Sequence, residues 1–284
     1  MGAIIIDGKE IAKRKRENLK IKVSELKEQG IQPGLAVVLV GNDQASLTYV
    51  RNKQKACKEV GIESYLYQYD ETLSESELLS IIEKLNNDPK VDGILVQLPL
   101  PRHISPQKVI ETIHPEKDVD GFHPMNVGRM SVGQESFLPC TPFGILEMLK
   151  EMEISIAGKH AVIVGRSNIV GKPMGQLLLN HDATVTYCHS KTKDLQIHTR
   201  QADLLIVATG KQNLISKEDV KDGVVVIDVG MNRDENGKLC GDVNFTEVKE
   251  KASFITPVPG GVGPMTIAML LFNTVQAAEK RHGR

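Results

Sequence analysis

The sequence predicts an α/β protein of two domains, each built on a parallel sheet. Three observations carry this. The chain has 284 residues, more than one compact core usually holds. Short apolar runs alternate with helical patterns along nearly the whole chain, as βαβ units require. At residues 160–173 a strand-like run breaks at a glycine and opens a helix, the local pattern of a dinucleotide-binding domain.

The elements follow in order. Lys13, Arg14, Lys15 and Arg16 are basic, but Ala12, Leu19, Val23 and Leu26 recur on one side, so the basic run reads as the solvated face of a helix. Strands are expected at 35–40, 64–69 and 93–96, with helices at 43–60 and 74–86 between them. A polar stretch with glycine and proline covers 114–139. A helix at 141–152 then has Thr141 as its N-cap and Pro142 at its first position. Gly158 opens a second series, with strands at 160–164, 184–187, 204–207, 224–229 and 255–257. The segment 265–278 is apolar but interrupted by Thr266, Asn273, Thr274 and Gln276, so it reads as a buried helix. The division is therefore an N-terminal α/β substrate domain, 1–140, and a C-terminal Rossmann-like nucleotide-binding domain, 141–264, with a cleft between them. The last helix, 265–284, is the element that can return to the first domain.

Composition narrows the function. Formal net charge is -1, so no global field recruits nucleic acid or an anionic membrane. Cys57, Cys140, Cys188 and Cys240 are scattered and form no CxxC, which favours reduced thiols in a cytoplasmic protein over disulfides or a zinc site. No apolar run is long enough to span a bilayer, and Asp7 and Glu10 argue against a transit segment.

Lys53 is out of place on its helix. Val50, Cys57 and Val60 share one face, and Arg51, Asn52, Lys55, Lys58 and Glu59 the other. Lys53 falls in the apolar stripe, with Tyr49 and Ser46 on the turns before it. Burying an unpaired ammonium is costly, so the pattern points to a site. The alternative is a lysine at the rim of the core that extends its charge to water.

The turn Gly165-Arg166-Ser167-Asn168-Ile169-Val170-Gly171 departs from GxGxxG. Ser167 replaces the second glycine, and Gly171 comes one position late. The helix N-terminus is still expected to offer free N–H groups to a pyrophosphate. A phosphate-binding NTPase loop is excluded, because five residues separate Gly165 from Gly171 and Pro173 follows Lys172. The next strand ends without the acid that holds an NAD ribose. Ser190, Lys191 and Arg166 suit a 2′-phosphate instead, so NADP is favoured. His189 reads equally well as an exposed loop residue.

Three further segments carry polar groups. Gln97 closes the strand at 93–96, at the end where open parallel sheets bind ligands. Asp118, Asp120 and His123 share a loop, with Asp118 read as shaping that loop. A metal held by His114, Asp118, Asp120 and His123 is a rival disfavoured by the lack of zinc-type spacing. Residues 259–266 form a glycine loop opening a helix, which either turns the chain or admits a ligand closely.

Together, the Ser46–Tyr49–Lys53 helix, Gln97-Leu98-Pro99, Lys117-Asp118-Val119-Asp120-Gly121, Gly165-Arg166-Ser167 and the 259–266 loop resemble the bifunctional methylenetetrahydrofolate dehydrogenase/cyclohydrolase family, in the family's order and over nearly the whole chain. The resemblance implies oxidation of 5,10-methylenetetrahydrofolate by NADP⁺, then hydrolysis of the methenyl product to 10-formyltetrahydrofolate. It implies Lys53 as the cyclohydrolase group, held and tuned by Tyr49, Ser46 and Gln97. Tyr49, Asp120, Pro259, Gly260 and Gly261 would bind the folate, Asp120 taking the pterin. Gly165, Arg166, Ser167, Ser190, Met231 and Thr141 would bind NADP. No metal, nucleic acid or membrane is implied, and the family suggests a cytoplasmic homodimer. A dehydrogenase without cyclohydrolase activity, a shikimate-type NADP dehydrogenase and a non-enzymatic nucleotide-binding regulator are the alternatives.

Overall fold

The computed structural model describes residues 2–283. The chain forms two compact units. One, called here the Lys53 unit, comprises Lys13–Cys140 and the chain from Ile267; the other, the Gly165 unit, comprises the chain up to Ala12 and Thr141–Thr266.

The Lys53 unit is built on a three-stranded parallel sheet in the order Glu63–Tyr69, Gly34–Val40, Gly93–Val96. The central strand is buried throughout and reads as an unbroken apolar run, as expected of a strand covered on both faces. The edge strand alternates between exposed and half-buried positions. Between the strands, the helix Gln44–Val60 is capped by Asp43, whose carboxylate accepts from Ser46 N at 2.7 Å. It stops at Gly61, in the left-handed conformation that glycine adopts without strain. The helix Glu75–Asn87 begins with a capping box between Ser74 and Glu77. Leu78, Ile82 and Leu85 of this helix pack with Ala36, Val38, Ile94 and Val96 of the sheet.

Within the stretch expected to be loop, Pro124–Ser131 is a helix. Its N-cap is His123, whose Nδ1 accepts from Met125 N at 3.0 Å. A second short helix, Pro106–Thr112, starts behind Ser105. The chain from Ile267 belongs to this unit and is tied in by polar contacts. Arg281 pairs with the buried Asp92 at 2.9 Å, and Lys22 pairs with Glu279 at 2.8 Å. The basic run near the start is solvated as expected, with Arg16 reaching Glu59 at 3.4 Å, while Leu19, Val23 and Leu26 are buried.

The Gly165 unit holds a six-stranded sheet in the order Ile4–Ile5, Phe254–Ile255, Val225–Asp228, Leu204–Val207, His160–Val164, Thr184–Cys188. Every pairing in it is parallel. One edge corrects the expected division. Ile4 and Ile5 pair with Phe254 and Ile255, so the first residues of the chain join the nucleotide-side sheet and not the 1–140 domain. The helix expected at 141–152 runs Cys140–Glu151, which places Thr141 inside its first turn and not at its cap. The Thr141 hydroxyl instead meets that of Thr266 at 3.0 Å. The strand expected at 255–257 ends at Ile255, because the Thr256 hydroxyl turns to accept from Asp228 N at 2.8 Å.

No described helix is long and apolar enough to cross a membrane. All four cysteines are unpaired thiols.

Candidate active site

In the Lys53 unit, the wheel reading of the Gln44–Val60 helix corresponds to burial. Ser46, Val50, Cys57 and Val60 are buried, while Tyr49 and Lys53 are half-buried on the same side. The Lys53 side chain is half-buried, and its ammonium has a partner at the end of a sheet strand. It donates to Gln97 Oε1 at 3.0 Å. Gln97 is in turn held at the end of the Gly93–Val96 strand. Its backbone N–H donates to Val38 O at 2.8 Å, and its side-chain Nε2 donates to Leu98 O at 2.6 Å. The amide group is thereby oriented with its oxygen toward the lysine.

Asp120 lies in the field of the same lysine. Burial dominates its titration and pushes its carboxyl up to about 6; the nearby Asp118 adds to the rise, and the Lys53 charge opposes it. The loop beneath is fixed from several directions. Asp118 is buried and accepts from Phe122 N at 3.2 Å, His123 N at 2.8 Å and Asn126 Nδ2 at 2.8 Å. That is a loop-shaping carboxylate. The buried Lys117 donates to Leu85 O at 3.1 Å and Asp88 O at 2.8 Å, closing the end of the Glu75–Asn87 helix. Asn273 donates to Val119 O at 2.8 Å and Leu138 O at 3.1 Å. The Cys140 thiol donates to Val119 O at 3.2 Å, and burial raises its pKa well above the ordinary range. Asn273 and Cys140 carried no sequence signal of this role, since their partners are carbonyls that any residue supplies.

Among the described residues, no group of three His, Cys, Asp or Glu side chains gathers to hold a metal. His114 and His123 each use Nδ1 to accept from a backbone N–H two residues on.

In the Gly165 unit, Gly165 ends the His160–Val164 strand with φ 131, and a Cβ there would run into the Ala208 carbonyl. Gly171, the late glycine, opens the helix Gly171–Asn180, where a Cβ would run into the Gly165 carbonyl. Ser167 changes what the turn offers. Its Oγ accepts from Val170 N at 3.1 Å and Gly171 N at 3.3 Å, and its backbone oxygen accepts from Lys172 N at 3.0 Å. The N–H groups expected to be open to a pyrophosphate are therefore occupied by the serine itself.

Arg166 and Ser190 are exposed. The strand Thr184–Cys188 ends without an acid, and His189 shapes the following turn, its Nδ1 accepting from Lys191 N at 3.2 Å. Met231 is 47% exposed. In the glycine loop, Pro259 is exposed, Gly261 is buried, and the Gly260 carbonyl accepts from Lys9 N at 2.9 Å. The structure thus groups Ser46, Tyr49, Lys53, Gln97 and Asp120 in one unit, and Gly165, Arg166, Ser167, Ser190, Met231, Thr141, Pro259, Gly260 and Gly261 in the other.

Comparison with known proteins gives one answer over the whole chain. Residues 6–120 match the tetrahydrofolate dehydrogenase/cyclohydrolase catalytic domain, and residues 139–282 match the NAD(P)-binding domain of the same family. The bifunctional protein FolD of Geobacillus thermodenitrificans is 66% identical over 280 residues, covering 99% of each chain. A crystal structure of the bifunctional enzyme FolD, methylenetetrahydrofolate dehydrogenase/cyclohydrolase, from Campylobacter jejuni is 56% identical, with a TM-score of 0.97 over 98% of this chain and 99% of that one. The Trypanosoma brucei methylenetetrahydrofolate dehydrogenase-cyclohydrolase, solved with NADP cofactor and inhibitor, is 38% identical, with a TM-score of 0.95 over 100% and 99% of the two chains. With both domain models matched and the full length shared with such relatives, this chain belongs to the tetrahydrofolate dehydrogenase/cyclohydrolase family.

Proposed function

We propose that Lys53 is the proton-transfer group of the hydrolytic reaction, that Asp120 anchors the pterin, and that Arg166 and Ser190 select NADP. The two activities come with the family: oxidation of 5,10-methylenetetrahydrofolate to the 5,10-methenyl cation, and hydrolysis of that cation to 10-formyltetrahydrofolate. The observation that carries the residue assignment is the Lys53 Nζ to Gln97 Oε1 contact at 3.0 Å. It holds a half-buried ammonium in one orientation beside Asp120.

In the hydrolysis, water adds to the methenyl carbon and releases a proton. The carbon–nitrogen bond to the pterin then breaks as that nitrogen regains a proton and the carbonyl forms, leaving one proton released overall. Lys53, oriented by Gln97, is placed to move these protons. Tyr49 and Ser46, one and two turns before it, limit where the ammonium and the substrate sit. The Asp120 carboxylate accepts from the paired N–H donors of the amino-pyrimidine edge. Pro259, Gly260 and Gly261 complete the folate residues in this proposal.

NADP⁺, when bound, would supply the acceptor for a hydride from the methylene carbon, a transfer that asks no general base of the chain. The chain's own residues fit a phosphorylated dinucleotide. Gly165 leaves room where any Cβ would strike Ala208. Exposed Arg166 and Ser190 supply a cation and a hydroxyl where an NAD site carries an acid. Ser167, Thr141 and Met231 are the remaining cofactor residues. The four unpaired thiols fit a reducing cytoplasm, and a homodimer is the assembly to test by light scattering.

Lys53→Met tests the central assignment. Cyclohydrolase turnover is expected to fall by about 10²- to 10⁴-fold, while NADPH formation continues and methenyltetrahydrofolate accumulates. Following NADPH and methenyl absorbance together, corrected for spontaneous hydrolysis, reads both. Wild-type hydrolysis in the variant would remove Lys53 from the mechanism, and loss of activity on adding a chelator to wild-type enzyme would restore the metal reading.

A further inference from the structure

Two carboxylates are buried in the Gly165 unit: Asp228 ends the strand Val225–Asp228, and Asp242 lies in the bend after the short strand Leu239–Cys240. Their exposures are 3% and 0%. Asp228 accepts from Gly230 N at 2.8 Å, Asp242 N at 3.0 Å and Val243 N at 2.9 Å. Asp242 accepts from Thr209 N at 2.6 Å, Thr209 Oγ1 at 2.9 Å, Gly210 N at 3.0 Å and Asn232 Nδ2 at 2.8 Å. All of these partners are neutral donors. Burying two like charges without a cation disfavours folding, so their contribution lies in the segments they hold.

Those segments border the dinucleotide turn. Thr209 and Gly210 follow the strand Leu204–Val207, and the Ala208 carbonyl just before them packs on Gly165. Gly230 and Asn232 flank the exposed Met231, one bonded to Asp228 and the other to Asp242. The bond from Asp242 N to Asp228 joins the two carboxylates into one frame. A ligand at the C-terminal ends of a parallel sheet meets the loops that leave those strands. We propose that Asp228 and Asp242 are positioning residues for the dehydrogenase reaction: they fix the 209–210 and 230–232 loops in the shape that binds NADP, without touching it. The inference rests on the reading that the Gly165 turn and Met231 lie at the cofactor.

The bifunctional enzyme contains its own control, because hydrolysis of methenyltetrahydrofolate consumes no NADP. Asp242→Asn turns an acceptor into a donor facing other donors. Asn232→Ala removes a single bond and leaves both carboxylates in place. The NADP⁺ KM is expected to rise about tenfold or more in Asp242→Asn, and about three- to tenfold in Asn232→Ala, as loss of a charge-assisted hydrogen bond allows. Cyclohydrolase kcat/KM should stay within about twofold of wild type. If Asp242→Asn does not fold, Thr209→Val, which deletes the hydroxyl donor to Asp242, takes its place beside Asn232→Ala. An unchanged NADP⁺ KM in the folded variants overturns the proposal, as does a parallel fall of both activities at constant KM, the mark of a purely structural pair. Arg166→Ala measured alongside separates the two readings. If it too leaves the NADP⁺ KM unchanged, the cofactor assignment fails; if it alone raises the KM, only the positioning role of the carboxylates fails.

Discussion

Replacing Asp120 with Asn should make the protein more stable while removing its activity. Burial has pushed the Asp120 carboxyl from the ordinary 3.8 up to about 6. The sign follows from linkage. A raised carboxyl pKa means that the folded state prefers the protonated form, so the stability this group contributes is full below pH 4 and is lost as pH rises through 6. At neutral pH the ionised Asp120 therefore disfavours folding. A rise from 3.8 to about 6 corresponds to about 3 kcal/mol. Asp120 is only half-buried, so solvent screening makes this an upper bound. Asn keeps the shape and removes the charge. With about 2–4 °C of Tm per kcal/mol for a protein of this size, the variant should melt up to about 10 °C higher near pH 7.5. The gain should shrink toward zero near pH 4. Asp228, also pushed up to about 6, is common to both proteins and cancels in the difference. Calorimetric melts of both proteins from pH 4 to 8, paired with assays of both activities, give the test. In the wild type, folate affinity should weaken as pH falls through 6, because the pterin donors need an ionised acceptor. A variant no more stable than wild type at pH 7.5, or a gain that does not change with pH, would refute the reasoning.

Arg166→Ala should raise the NADP⁺ KM about ten- to hundredfold, the range for loss of one charge-assisted contact, and leave the NAD⁺ KM nearly unchanged; equal effects on both cofactors in steady-state assays would count against 2′-phosphate recognition. Gln97→Leu removes the acceptor that orients Lys53, so cyclohydrolase kcat should fall about ten- to hundredfold, with a smaller loss in NADPH formation; comparison with Lys53→Met on the same substrate checks that the glutamine acts through the lysine.

Most of the fold was legible because buried parallel strands write themselves as short apolar runs between breakers. Gly93–Val96, His160–Val164 and Leu204–Val207 match the expected bounds to the residue. What failed had little local signal. Ile4–Ile5 is a two-residue strand whose pairing partners lie at Phe254 and Ile255, and no window along the chain contains both. Pro124–Ser131 is short, contains Gly128, and is capped by a histidine ring in place of the usual Ser, Thr, Asp or Asn. In the site, the wheel shows that Lys53 faces inward, but its partner Gln97 is 44 residues away and is met only through the sheet. Asp228 falls within the strand expected at 224–229 and Asp242 follows Gly241, and neither position marks its acid as buried. Their burial and their shared set of donors are tertiary facts.

Ser167 shows why a departure from a motif carries information of its own. In GxGxxG the second glycine lets the pyrophosphate approach the helix start, where free N–H groups and the dipole hold it. Here the serine hydroxyl bonds to Val170 N and Gly171 N, and the serine carbonyl bonds to Lys172 N. The helix is closed by its own turn. A dinucleotide on this unit must then draw more of its binding energy from groups other than the helix terminus. The candidates in the proposed assignment are the Arg166 guanidinium, the hydroxyl hydrogen that Ser167 retains after accepting two bonds and, after the next strand, Ser190. An enzyme that recognises its cofactor chiefly through a cation and hydroxyls discriminates by charge at the 2′ position more strongly than one that relies on the pyrophosphate, which NAD and NADP share. The substitution that weakens the sequence match is thus the one that sharpens the Arg166 experiment: with the Val170, Gly171 and Lys172 N–H groups occupied, loss of the guanidinium is expected to show directly in the NADP⁺ KM.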